Sequence, residues 1–200
     1  MEDISREQLD ALREMVNIGM GQAAGVLNEM VNAHVDLQVP ELQVYDPDRM
    51  STDLECYGGG AVSAIRLTFD EPFSGSAILL FSQESAANLV NLLVDDTTDS
   101  FDMDTLRVGT LQEVGNIVLN TVLGTLGDLW GEHIQFMPPE YFEEDVESIV
   151  CEYKNQENRV LYIKTFFGVE QHELQGEIIF IFRIDTFQKI LTKLEEFISS

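Results

Sequence analysis

The chain has 200 residues, 44% of them hydrophobic, which suits one sizeable core and argues against a disordered chain. Asp and Glu number 36 against 11 Lys and Arg, a formal charge of −25, so nucleic acid and anionic membranes are poor partners. No apolar run is long enough to span a bilayer, and the start, MEDISREQLD, lacks the basic opening and apolar centre of a signal peptide, so a cytoplasmic protein without membrane insertion is expected. In chain order, a helical period over residues 5–31 comes first. Strands are predicted over 35–45, 61–69 and 75–81, followed by a short amphipathic helix, QESAANLVNLL. The polar segment Asp95–Asp104 reads as a linker. A second long helix is predicted over 104–130, then strands over 148–154, 159–168 and 176–183, and a closing helix, IDTFQKILTKL.

The order of elements repeats, and so do residues. Glu14, Asn17, Gly25, Leu27, His34, Pro40 and Glu41 return 99 positions later as Glu113, Asn116, Gly124, Leu126, His133, Pro139 and Glu140. Further on, GSAILLFS from Gly75 resembles GEIIFIFR from Gly176, an offset of 101. Each half is too small for a well-buried core of its own, so a single domain with internal pseudo-two-fold symmetry is expected, with repeat 1 at 5–96 and repeat 2 at 102–199. The fold class predicted is α+β, two long antiparallel helices packed on a β-sheet. Internal symmetry also predicts a monomer.

At about 100° per residue, Leu9, Leu12, Val16, Met20, Ala23, Leu27 and Met30 form one stripe of the first helix, the predicted buried face. Asp10, Glu14, Asn17 and Gly21 form another, which projects a carboxylate and an amide side by side toward solvent. The second long helix repeats this with Gly109, Glu113, Asn116 and Asn120 opposite Leu111, Val118, Val122, Leu126 and Leu129. A single Glu-x-x-Asn is an ordinary solvated helix face. Asn, however, is a mediocre helix former with no capping role in mid-helix, and its return at the same place after Glu asks for a function.

Other motifs are weaker. Gly19, Gly21 and Ala24 match a dinucleotide fingerprint, but they lie inside a helical period and not after a strand. Gly58, Gly59 and Gly60 lack the Lys of a phosphate loop and read as a loop. His34 and His133 are not spaced as a metal pair, and the acidic clusters Asp95–Asp104 and Glu143–Glu147 lack the order of a calcium loop, so no bound metal is expected. FMPPEYF, with Trp130 before it, reads as core. Cys56 and Cys151 read as free, buried thiols.

The spacing Asp10, Glu14, Asn17, Pro40 resembles the motif of the CheC, CheX and FliY group of response-regulator phosphatases: Asp or Ser, three residues, Glu, two residues, Asn, twenty-two residues, Pro. Glu113, Asn116 and Pro139 fit it again, with Gly109 where Asp or Ser is usual. The continuation NIGMGQAA is similar to that of CheC. The resemblance implies a CheC-like fold and a phosphatase that hydrolyses the aspartyl-phosphate of the chemotaxis regulator CheY. In that reading Asn17 and Asn116 orient the attacking water, and Glu14 and Glu113 reach the regulator's active-site lysine. Asp10, Gly21 and Asn120 contact the regulator, while Pro40 and Pro139 are structural. The Mg2+ of the reaction belongs to the regulator, and no cofactor is expected on this chain. The deamidase CheD is an implied partner. The alternative is a non-catalytic adaptor that binds CheD or a flagellar-switch component. Finally, acidic residues spread along the chain and only four lysines resemble proteins of salt-loving organisms, a halophilic archaeon included. In molar salt the Debye length falls to about 3 Å and self-repulsion is screened.

Overall fold

The first helical period forms helix α1, Arg6–Val31, in a computed structural model that describes residues 4–31, 34–45, 60–93, 103–153, 158–169 and 172–199. A reciprocal capping box starts it: the Gln8 amide N–H donates to Ser5 Oγ at 3.1 Å, and the Ser5 N–H to Gln8 Oε1 at 2.8 Å. Strands β1 (Val35–Tyr45), β2 (Ala61–Asp70) and β3 (Gly75–Ser82) follow, then helix α2 (Gln83–Leu93). The second half has α3 (Met103–Trp130), β4 (Gln135–Phe136), β5 (Glu140–Asp145), α4 (Val146–Cys151), β6 (Asn158–Val169), β7 (His172–Arg183) and α5 (Ile184–Ile198).

Among the described residues all strands join one antiparallel sheet in the order β1-β6-β7-β3-β2-β4, with β5 also beside β2. The centre is the β3–β7 pair. There Gly75 stands opposite Phe182 and Gly176 opposite Phe81, and 75 + 101 = 176 while 81 + 101 = 182. Such a register is what a two-fold axis between the two strands produces.

Alternation along the strands divides the core. Ile65, Leu67, Phe69, Ala77, Leu79, Phe81, Ile178, Phe180 and Phe182 face the layer made by α1, α2, α3 and α5. Val62, Ala64, Ile78, Leu80, Ile179 and Ile181 face the other way, where Val146 and Ile149 of α4 cover them. With both faces covered, β3 and β7 need continuous apolar runs, which explains SAILLF and IIFIF. The fold class is therefore α+β, as predicted.

The stretch 148–154, read as a strand, is a correction: Val146–Cys151 is helical. Val146 and Ile149 bury one turn apart, and the β-branched content of SIV yields to that packing. β5 was missed because an edge strand carrying Glu140, Glu143, Glu144 and Asp145, all exposed, shows little apolar alternation. FMPPEYF is only partly core: Phe136 and Met137 are exposed, whereas Trp130 is buried with its ring 5.0 Å from that of Phe73. Met30 is 42% exposed because its turn is the last of α1. Cys151 is exposed and not buried. Cys56, Gly58, Gly59 and most of the Asp95–Asp104 segment lie outside the described residues.

Candidate functional site

Helices α1 and α3 are held close to each other. A Cβ on Gly19 would stand only 3.0 Å from Val122 Cα, so the absence of a side chain there sets the approach. Thr125 Oγ1 donates to Gln22 Oε1 across the same junction at 2.7 Å. On its sheet side α3 approaches equally closely: a Cβ on Gly115 would lie 2.5 Å from Ile65 Cγ2. The burial of Ala11, Met15, Gly19 and Ala24 beyond the predicted stripe follows from this, since α1 packs on the sheet and on α3 at once. What remains exposed is a narrow outer face.

On that face of α1 stand Asp10, Glu14, Asn17 and Gly21, all exposed. Arg13 comes within 4.0 Å of Asp10, a solvated pair of little energetic weight. Nothing lies within 4 Å of where a Cβ on Gly21 would be, and Ile18, 40% exposed, adds an apolar side chain beside Glu14. On α3, Gly109 and Glu113 are exposed, whereas Asn116 and Asn120 are half-buried. Asn120 Nδ2 donates to Asn116 Oδ1. The four-residue spacing of these two residues was legible, but the bond between their amides was not anticipated. The two Glu-Asn pairs thus each occupy one turn of a helix whose opposite face is immobilised in the core.

The two prolines of the motif sit at irregular points of the sheet. Pro40 falls in the register shift of β1 between Gln38 and Glu41, where a missing N–H does no harm, and Thr165 Oγ1 donates to Gln38 O at 2.9 Å beside it. Pro139 leads into β5, and its carbonyl accepts from Gln112 Nε2 of α3 at 3.5 Å. The prolines are thus near the helices' supports, not among the polar stripes.

One polar cluster was missed. Arg107, in the second turn of α3, donates to Ser63 Oγ at 3.0 Å and to Gln83 Oε1, and lies 3.5 Å from Glu143. Tyr141 donates its hydroxyl proton to Glu143, and Ser63 Oγ lies 3.3 Å away. Burial first, and the Glu143 carboxylate second, push the Tyr141 phenol above its ordinary range. The cluster ties the start of α3 to β2, α2 and β5 and orients the helix that carries Glu113. Its members are scattered over 80 residues, so no local pattern announces it. Among the described residues no group of three or more His, Cys, Asp and Glu gathers as a metal ion would require, and no helix is long and apolar enough to cross a membrane.

Residues 7–43 match the CheC-like family. This segment contains Asp10, Glu14, Asn17 and Pro40, and the resemblance read from their spacing is borne out. Along 96% of its length the chain is 25% identical to the CheY-P phosphatase CheC of Bacillus subtilis (strain 168), covering 95% of that protein. The crystal structure of Thermotoga maritima FliY superposes with a TM-score of 0.74 at 16% identity, covering 98% of this chain and 99% of that one. The FliM middle domain from H. pylori superposes at 0.67 and 13% identity, covering 95% and 99%. These two likenesses show the fold.

Proposed function

We propose that this CheC-like chain is a phosphatase that hydrolyses the aspartyl-phosphate of phosphorylated CheY, with one site on α1 and one on α3. The observation that carries the reading is the doubled pair, Glu14 with Asn17 and Glu113 with Asn116, standing on the outer faces of two helices that are fixed from behind. The name of the B. subtilis relative, a CheY-P phosphatase, supports the same substrate.

An aspartyl-phosphate needs little covalent help. Its hydrolysis requires water in line with the bond that breaks and charge stabilisation for the phosphoryl group. In this reading the regulator's own Mg2+ and lysine supply the charge stabilisation. A carboxamide suits the remaining task because it both donates and accepts hydrogen bonds and brings no negative charge toward phosphate. Asn17 and Asn116 would orient the water. Glu14 and Glu113, one turn away on the same face, would pair with the regulator's lysine and set the register of the amide. Asp10 adds a further carboxylate at the first site; at the second, Gly109 leaves that position empty of side chain. The chain would act as one cytoplasmic domain of two repeats, 5–96 and 102–199, as a monomer, with CheD as a further partner.

A second reading has a specific observation behind it: the fold is shared with the FliM middle domain, so architecture alone does not select catalysis. A switch component or CheD adaptor would keep the fold and have no use for two water-orienting amides. Release of phosphate from phosphorylated CheY separates the two. Acceleration by the wild-type chain, reduced about 100-fold or more in Asn17→Ala/Asn116→Ala, is the expected result for residues that place a reacting group. Equal activity of the double variant and the wild type would remove the proposed mechanism, and an inert wild type would favour the adaptor.

A further inference from the structure

The two Glu-Asn pairs are not equivalent, and the difference lies one turn beyond the asparagines. Position 21 of α1 and position 120 of α3 correspond at the repeat offset, 21 + 99 = 120, yet one is Gly and the other Asn. At the second site Asn120 Nδ2 donates to Asn116 Oδ1. At the first site Gly21 offers no side chain, nothing lies within 4 Å of its Cβ direction, and Asn17 is exposed. Among the described residues the Asn116 amide thus has a neighbouring amide bonded to its oxygen, whereas position 21 offers the Asn17 amide no such neighbour.

The Asn120 side chain is poorly explained as a stabilising feature. Among the described residues its buried Oδ1 has no hydrogen-bond partner, and an unsatisfied buried acceptor is destabilising. Asn also contributes little to a helix interior. Its hydrogen bond points at the amide proposed to orient the attacking water.

We propose that Asn120 is a positioning residue: it locks the Asn116 amide by its oxygen, leaving Asn116 Nδ2 and the remaining Oδ1 lone pair presented in a fixed direction to water. This rests on the phosphatase reading and adds a distinction between the two sites to it. The second site is preorganised, while the first must freeze its amide when the regulator docks. Freezing one side-chain rotor corresponds to about 2- to 10-fold in rate when it is deferred to the transition state.

The test isolates each site and measures phosphate release from phosphorylated CheY. In an Asn17→Ala background, where only the second site works, Asn120→Gly and Asn120→Leu are expected to lower kcat by about 2- to 10-fold, in addition to any rise in KM from a lost contact with the regulator. Leu keeps the size and favours the helix, so a loss shared by both variants is not a folding effect. In an Asn116→Ala background, Gly21→Asn is expected to raise kcat of the first site by a similar factor, a gain that a merely structural role for Asn120 would not foretell. In the free protein, the side-chain amide of Asn116 should be more ordered on the nanosecond scale than that of Asn17 by NMR relaxation, and should lose that order in Asn120→Leu. An unchanged kcat in both Asn120 variants, or a change confined to KM, overturns the inference while leaving the phosphatase reading intact. A wild type that releases no phosphate overturns both.

Discussion

At the scale of single residues, the two long helices assign different work to the same residue types. Asn28 accepts from the Val35 N–H and ties the end of α1 to β1, a structural amide, whereas Asn17 points outward with no such task. Glu132, near the end of α3, pairs with Lys193, while Glu14 and Glu113 stand exposed on the outer face. Exposed carboxylates in a chain of net charge −25 repel one another, so their clustering beside an amide favours a cationic group on a partner. Reversing both charges is then expected to act on docking. Glu14→Lys/Glu113→Lys should raise KM for phosphorylated CheY by about 10-fold or more, with a smaller change in kcat, because like charges would meet across the interface. Steady-state kinetics check this, and a fall in kcat with unaltered KM would show that the carboxylates take part in the chemical step and not in docking.

At the scale of elements, glycines decide how near α3 can come to its supports. α3 contains Gly115 against Ile65, Gly127 against the Glu132 carbonyl, and Gly124 facing open space. It ends in a Schellman motif: Gly131 has φ 71°, its N–H donates to Asp128 O at 3.1 Å, and the Glu132 N–H donates to Gly127 O at 2.8 Å. These contexts predict opposite responses to one substitution. Gly115→Ala would press a methyl group into a β-branched side chain that is fully buried, and is expected to destabilise by about 1–2 kcal/mol net of its gain in helix propensity. Gly124→Ala meets nothing within 4 Å and should stabilise by about 0.5–1 kcal/mol. Denaturant midpoints of the two variants give the comparison, and equal shifts in the same direction would contradict the close contact of α3 with β2.

At the scale of the whole molecule, charge and core pull against each other. The six described ion pairs, Arg66–Glu152 and Lys193–Glu132 among them, lie at least partly in solvent, and far more carboxylates are left than cations to balance them. Stability is therefore expected to depend on screening. Raising KCl from about 0.1 M to about 1 M shortens the Debye length from about 10 to about 3 Å, and the melting temperature should climb with it. A melt indifferent to salt would remove the reading of this composition as an adaptation to molar salt.

Much of this architecture was legible before any coordinates. Periodicity located α1, α3 and most strands to within a few residues, because one-sided burial writes a 3.6 or a 2.0 repeat directly into residue order. The polar stripes were legible for the same reason: Glu14 and Asn17, or Glu113 and Asn116, share a helix face by spacing alone. Where the local pattern was weak, prediction failed. β5 owes its existence to hydrogen bonds with β2, and Val146–Cys151 is a helix because Val146 and Ile149 cover the far face of the sheet. The Arg107 cluster joins four segments distant in sequence, and the Asn120–Asn116 bond depends on side-chain rotamers that a four-residue spacing permits but does not specify. Order along the chain was enough to indicate which residues face outward, since that follows from helical geometry. How closely α1, α3 and the sheet approach was decided only by tertiary contacts such as Gly19 on Val122 and Gly115 on Ile65, because those residues are far apart in sequence.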